Sequence, residues 1–263
     1  MPNRCLLKDS RSNTSPLRLS VEDALARVVR RVGGSLVSDL LPTDENLEEN
    51  ADFVFPQYGV IGELKRLEKD QGDDPGMAAK RNLLYRKWLT ERRPGVPIVY
   101  GRALLELRKL PSDCQNEMIS LYREPIARRI RKANRQIRTT KKTLKMEDAI
   151  GLLFLAQDGD YSIGPEAVFN LASRCVKGGE YRAIDDIICF NAKPATRPGD
   201  QLGYMFWFHA CRDNSRKVPD ELLQSLNEAW RAELEAATGT PIVLPDNPST
   251  EILDTLQYPK GRR

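Results

Sequence analysis

The residues best suited to chemistry in this chain are Asp52 and the tripeptide Glu63-Leu64-Lys65. Side chains alternate along a strand, so Glu63 and Lys65 share a face if this segment is extended. A hairpin turning on Gln57-Tyr58 pairs 55 with 60, 54 with 61 and 52 with 63. Directly opposed residues lie on one face with Cβ atoms roughly 5 Å apart, so Asp52, Glu63 and Lys65 are expected to converge. A one-residue slip in register would undo this. Two carboxylates held together repel each other, and a divalent cation relieves the repulsion. Their oxygens suit Mg²⁺, with Mn²⁺ as an alternative; Mg²⁺ keeps several waters and takes further oxygens from a phosphate. Such a cation acidifies water and stabilises charge on a scissile phosphate. Lys65 would orient the attacking water or steady the transition state, and the Leu64 carbonyl could add one more ligand.

These residues need a scaffold, and the patterning supplies one. Ser20 reads as the N-cap of a helix over 21–32, with Val21, Leu25, Val28, Val29 and Val32 on one face and Gly33-Gly34 ending it. A short strand is expected over 35–41, then an acidic loop over 42–50. Strands over 51–55 and 60–67 flank a turn at 56–59. A polar loop over 70–76 leads to a helix over 77–92, with a short strand over 96–100. Residues 103–145 look helical. The C-terminal half predicts strands over 151–157, 184–191 and 204–211, and helices over 165–176 and 219–237. This order gives one α/β domain over 20–237, with a basic helical insertion over 103–145 and loose tails over 1–19 and 238–263.

Asp52 followed by Glu63-Leu64-Lys65 resembles the PD-(D/E)XK nuclease superfamily, also called restriction-endonuclease-like. The resemblance covers residues 20–100, and 150–212 by element order alone. It implies a mixed central sheet flanked by helices, with the Asp and the (D/E)xK element on neighbouring strands. A helix precedes them, and a helix and a further strand follow. Helix 21–32 takes the first role. Helix 77–92, followed by strand 96–100 or 151–157, takes the later ones. Some members add an acidic residue from the preceding helix; Glu22 is the candidate here, although it also suits the positive end of that helix. Ala51 stands where the family's motif has Pro. The resemblance implies Mg²⁺-dependent phosphodiester hydrolysis, with Asp52 and Glu63 holding the metal and Lys65 serving water and phosphate.

Composition narrows the alternatives. The chain has 263 residues, a net charge of +4 and a single histidine, His209. One histidine excludes nuclease centres built on several, and His-Glu-x-x-His zinc proteases. No Gly-x-Ser-x-Gly elbow accompanies His209, and the common glycine-rich nucleotide loops are absent. The five cysteines include no Cys-x-x-Cys pair, which argues against a structural zinc site or a redox dithiol. Without a membrane-length apolar run or a signal-peptide pattern, a soluble cytoplasmic protein is expected.

Charge is uneven. Residues 1–145 carry 29 Lys and Arg against 19 Asp and Glu; residues 146–263 carry 12 against 18. The stretch 123–145 concentrates the cations, including Arg128, Arg129, Arg131, Lys132, Arg135, Arg138, Lys141 and Lys142, over a narrow stripe of Ile126, Ile130, Ala133 and Ile137. This fits a nucleic-acid backbone, DNA in particular, whose phosphates such a row would neutralise. The stretch has no aromatic residue, so base stacking is not its main device. Its apolar stripe is too thin for a membrane-surface helix. A solvated helix face is the plainer alternative, and a homodimer or a protein partner stays open.

Other candidates carry less. Asp158-Gly159-Asp160 reads as a turn, Asp185-Asp186 as a strand start, and Trp207 with Phe206 and Phe208 as sheet packing. His209 is expected to be a packed or edge residue. Three readings of the whole remain: a Mg²⁺-dependent nuclease, a non-catalytic nucleic-acid-binding or adaptor protein on a nuclease-like fold, or a purely protein-binding module.

Overall fold

The computed structural model describes residues 20–41, 49–68, 74–99, 109–159, 161, 163–245 and 256–258. The expected tail 1–19 lies outside them.

Ser20 caps α1 (Val21–Arg31), its hydroxyl accepting the Asp23 N–H at 3.3 Å. Gly33, at φ 81°, ends the turn that follows. The chain then adds β1 (Ser35–Leu36), β2 (Phe53–Phe55) and β3 (Val60–Leu67) as an antiparallel meander. Two helices, α2 (Pro75–Thr90) and α3 (Ser112–Ser120), precede the long α4 (Arg123–Thr143). There follow β4 (Ile150–Gln157), α5 (Pro165–Lys177) and β5 (Asp186–Asn191). The chain closes with β6 (Ala195–Thr196), β7 (Gly203–Tyr204), β8 (Trp207–Cys211), α6 (Asp220–Thr238) and β9 (Ile242–Val243).

The main sheet is mixed, in the order β1-β2-β3-β4-β5-β8; β3, β4 and β5 are mutually parallel, and β8 is antiparallel to β5. All residues of β4 and β5 are buried. Helices cover both faces of these parallel strands, which is why they read as unbroken apolar runs. Ile126, Ile130 and Ile137 of α4 and Val168 and Leu171 of α5 fill one side. Leu25 and Val28 of α1 and Leu222, Leu226 and Trp230 of α6 fill the other. Gly62 of β3 is fitted closely, since a Cβ there would lie 2.9 Å from the Phe154 ring.

Several expected elements shift. Strand 35–41 reduces to β1, because Val37–Asp39 turns into a 3₁₀ helix. Residues 96–99 form no strand; they run past α2, where the Tyr85 hydroxyl donates to the Pro97 carbonyl at 2.5 Å and accepts the Val99 N–H at 3.1 Å. The strand after the β3 crossover is therefore β4. The expected helical stretch 103–145 breaks at Leu121-Tyr122, and its residues 103–108 lie outside the described ones. Helix α4 is no insertion: its isoleucine stripe is core. The peripheral unit is α2 with α3, closed around Trp88, Leu110 and Cys114. Strand 204–211 splits, because Tyr204 pairs with Ala195 in a second sheet of β6, β7 and β9. Residues 238–263 are not wholly a tail. Ile242 pairs with Gly203, Gln257 bridges to Thr196, and Leu256 is buried beside Phe206. Among the described residues no helix is long and apolar enough to cross a membrane.

Candidate active site

The β2–β3 register decides what meets. Phe55 faces Val60, Val54 faces Ile61 and Phe53 faces Gly62. The connection is wider than the expected two-residue turn: Pro56–Tyr58 is a 3₁₀ turn, and Gly59, at φ 59°, leads into β3. That left-handed conformation favours glycine.

Asp52, just before β2, comes to lie beside Glu63. Its N–H donates to Glu63 Oε2 at 3.1 Å, and the Leu64 N–H donates to Asp52 Oδ2 at 2.8 Å. The Asp52 charge is close enough to raise the Glu63 carboxyl. Lys65 Nζ bonds Glu63 Oε1. The three residues expected to converge therefore touch.

Glu63 is only 1% exposed. Burial, then the neighbouring Asp52 charge, pushes its carboxyl up to about 8, and Lys65 only partly opposes this. Burial also raises the Asp52 carboxyl, against the Leu64 N–H and Lys65. Asp52 as a residue is exposed at the cleft, however. Water offsets part of that burial.

The pair floors a cleft of about 670 Å³, with Glu22 of α1 on one wall and Arg129, Lys132 and Gln136 of α4 on another. Glu22 bonds Arg66 rather than the carboxylate pair. Arg66 also holds Glu68 and Asp158 at 2.7 and 2.6 Å. Asp158 is thus a brace at the ends of β3 and β4, in keeping with a turn. Among the described residues no three His, Cys, Asp or Glu side chains gather on one point. The donor set is two carboxylates in mutual contact on a cleft floor, which fits a hydrated hard cation that takes its other oxygens from water and phosphate.

The basic row of α4 divides by direction. Arg128, Arg131, Lys132, Arg135, Arg138 and Lys142 are exposed. Arg128, Arg131, Lys132, Arg135 and Arg138 line a second groove, and Lys132 belongs to both it and the cleft. Two expected phosphate contacts are otherwise engaged. Arg129 Nε donates to the Arg66 carbonyl at 2.6 Å, and Lys141, 13% exposed, lies 3.6 Å from Asp185. Asp185 also accepts the Gly151 N–H at 2.9 Å and pairs with Arg212 at 2.6 Å, so it is structural. His209 is an exposed residue of the edge strand β8, its Nε2 3.2 Å from the buried Asp186.

Patterning did not single out the clamp behind Asp52. The Thr140 hydroxyl accepts the Ala51 N–H at 2.6 Å and donates to Asn50 Oδ1 at 3.2 Å. Gln136 Nε2 donates to the Asn50 carbonyl at 3.0 Å. Gln136 and Thr140 are four apart, hence on one helix face, and both are buried. Two polar residues at that spacing beside an isoleucine stripe were the available signal. Thr140→Val keeps the shape but strands the Ala51 N–H, so a loss of about 1–3 kcal/mol is expected in denaturant unfolding. Thr140→Ser should recover most of it; equal losses in both variants would show that the hydroxyl contributes nothing.

No family model, curated protein or solved structure matches the chain.

Proposed function

We propose that the protein is a divalent-cation-dependent nuclease that hydrolyses phosphodiester bonds in DNA on a restriction-endonuclease-like core. The observation that carries this reading is the contact of Asp52, Glu63 and Lys65 on the floor of a cleft whose wall is the basic helix α4. The element order supports it: α1, then Asp52 at the entry to β2 and Glu63 on β3, then, after α2 and α3, α4 and the parallel β4.

Asp52 and Glu63 would hold the cation, Mg²⁺ or Mn²⁺. When bound, it supplies charge stabilisation at the phosphate and a more acidic water. Lys65 places an ammonium beside the reacting phosphate and the attacking water. The exposed cations of α4 take the flanking phosphates and fix the backbone against the cleft. The Thr140–Gln136 clamp holds the chain that presents Asp52. Glu22 is placed to add charge at the cleft rim, through Arg66.

Incubation with supercoiled and linear DNA in Mg²⁺, Mn²⁺ or EDTA tests this, and cleavage that requires the cation is expected. The second reading, non-catalytic nucleic-acid binding, is favoured by one observation: protein donors already occupy both Glu63 oxygens. It predicts binding without product in every condition.

Both readings make the same demand on α4. Replacing Arg128, Lys132, Arg135 and Arg138 together by Ser should weaken DNA binding and flatten its salt dependence. The slope of log K against log salt should fall in magnitude by up to about 0.9 per lost duplex phosphate contact. An unchanged slope would remove α4 from the interface.

A further inference from the structure

We propose that Lys65 and a divalent cation compete for Glu63, the ammonium occupying Oε1 in the cation-free protein and being released into the cleft when the cation is taken up. This rests on the reading of Asp52 and Glu63 as a cation site.

The argument begins with the oxygens of Glu63. The Asp52 N–H holds Oε2 and Lys65 Nζ holds Oε1. Each oxygen keeps a second lone pair, but a cation on Oε1 would lie beside the ammonium already bonded there, and the two like charges repel at that distance. The Asp52 N–H is poorly placed to yield. It follows Ala51, whose own N–H is held by the buried Thr140, and it precedes Phe53, paired with Gly62. Lys65 is different: its ammonium sits on a flexible four-carbon stem, and Glu63 is its one hydrogen-bond partner among the described residues, with the Asp52 charge nearby.

The released ammonium has somewhere to go. Lys65 lines the cleft of about 670 Å³, across from Arg129 and Lys132. Release would add its charge to those of Arg66, Arg129 and Lys132 around the volume where a phosphate has to sit. Without the cation, Lys65 stays on Glu63, and the cleft lacks both the cation and the free ammonium. Cation uptake thus arms Lys65 as well as the carboxylates, without any movement of the sheet.

Two readouts independent of cleavage test this on the full chain. Lysine acylation by an N-hydroxysuccinimide acetate, resolved by mass spectrometry, reports whether Lys65 is free. Lys65, 13% exposed, should react slowly in EDTA. It should react at least about threefold faster in Glu63→Gln in EDTA, and in the wild type saturated with Mg²⁺. In calorimetric titration with Mn²⁺, Lys65→Met should bind about tenfold tighter than the wild type or better, since a competing charge is gone. If the wild type binds the cation while Lys65 labelling stays constant, the competition is overturned and the cation site stands. Equal or weaker Mn²⁺ binding by a folded Lys65→Met overturns it as well. If neither protein binds Mn²⁺, the cation site itself falls. Should Lys65→Met fail to fold, wild-type labelling with and without Mg²⁺ still decides.

Discussion

Asp52→Asn is expected to lower Mg²⁺-dependent DNA cleavage by at least about 10³-fold, with Glu63→Gln equally damaged and Lys65→Ala losing on the order of 10²–10³-fold. The asymmetry follows from the site. On the proposed reading Asp52 and Glu63 are the donor set, so loss of either carboxylate would remove both the cation and the water it would acidify. Lys65 contributes one positive charge, which the cation and the α4 cations partly replace. Folding should survive Asp52→Asn, because an amide oxygen can still accept the Leu64 N–H that Asp52 Oδ2 takes at 2.8 Å. DNA binding in EDTA should also survive, since on the proposed reading it would rest on Arg128, Lys132, Arg135 and Arg138, which line the groove on the α4 surface. The measurement is single-turnover cleavage of a labelled duplex, beside thermal melts and binding in EDTA. Wild-type rates in a folded Asp52→Asn would dismiss the assignment. Loss of binding together with cleavage would move Asp52 from chemistry to architecture.

How much of this was legible in the sequence depends on which interactions are local. The meeting of Asp52 with Glu63 follows from strand alternation and a short connection, and those rules operate within sixteen residues. The turn itself was misjudged, yet the register came out the same: 56–59 lies between the paired residues 55 and 60 whichever turn type fills it. The apolar stripe of α4 was visible too. Its place as a core crossover helix was not, because periodicity tells that a face is buried and not against what. The same limit hid the clamp. Asn50 and Thr140 are 90 residues apart, and only the packing of α4 on the sheet brings them together. The division of the basic row had the same origin: Arg129 and Lys141 point toward β3 and Asp185, and no count of charges distinguishes them from Arg128 or Arg135. The second sheet was missed for its size. Strands of two residues, such as Ile242–Val243, carry no period to read.

The second large effect is on stability, and it runs against the usual cost of substitution. Glu63→Gln should make the cation-free protein more resistant to heat at pH 8 while leaving it little changed at pH 5. In the fold the Glu63 carboxyl is pushed from 4.5 up to about 8, first by burial and then by Asp52. Between those values the folded protein holds a proton that the unfolded chain has released. Stability from this group is therefore complete below about pH 4.5 and is lost progressively as pH rises toward 8. Each unit of pH removes about 1.4 kcal/mol over that window. With Lys65 sharing the charge, the wild type should forfeit a few kcal/mol by pH 8, roughly 5–10 °C in melting temperature for a chain of this size. Glutamine carries no titrating proton, so the difference between variant and wild type reports Glu63 together with the Asp52 carboxyl coupled to it, and cancels the groups that titrate elsewhere. Adding Mg²⁺ at pH 8 should restore the wild type, because a ligand bound only by the folded state stabilises it, and should do nothing for Glu63→Gln. Melts at pH 5 and pH 8, with EDTA or Mg²⁺, give all four values. A difference between variant and wild type that does not change with pH would mean that Glu63 stays ionised on Lys65 throughout. A pH-dependent gain that Mg²⁺ fails to erase would mark Glu63 as a buried acid held by the fold, with no cation to receive. The nuclease reading requires both the gain and its erasure, since a carboxylate kept at this cost in stability is explained by the charge it is there to bind.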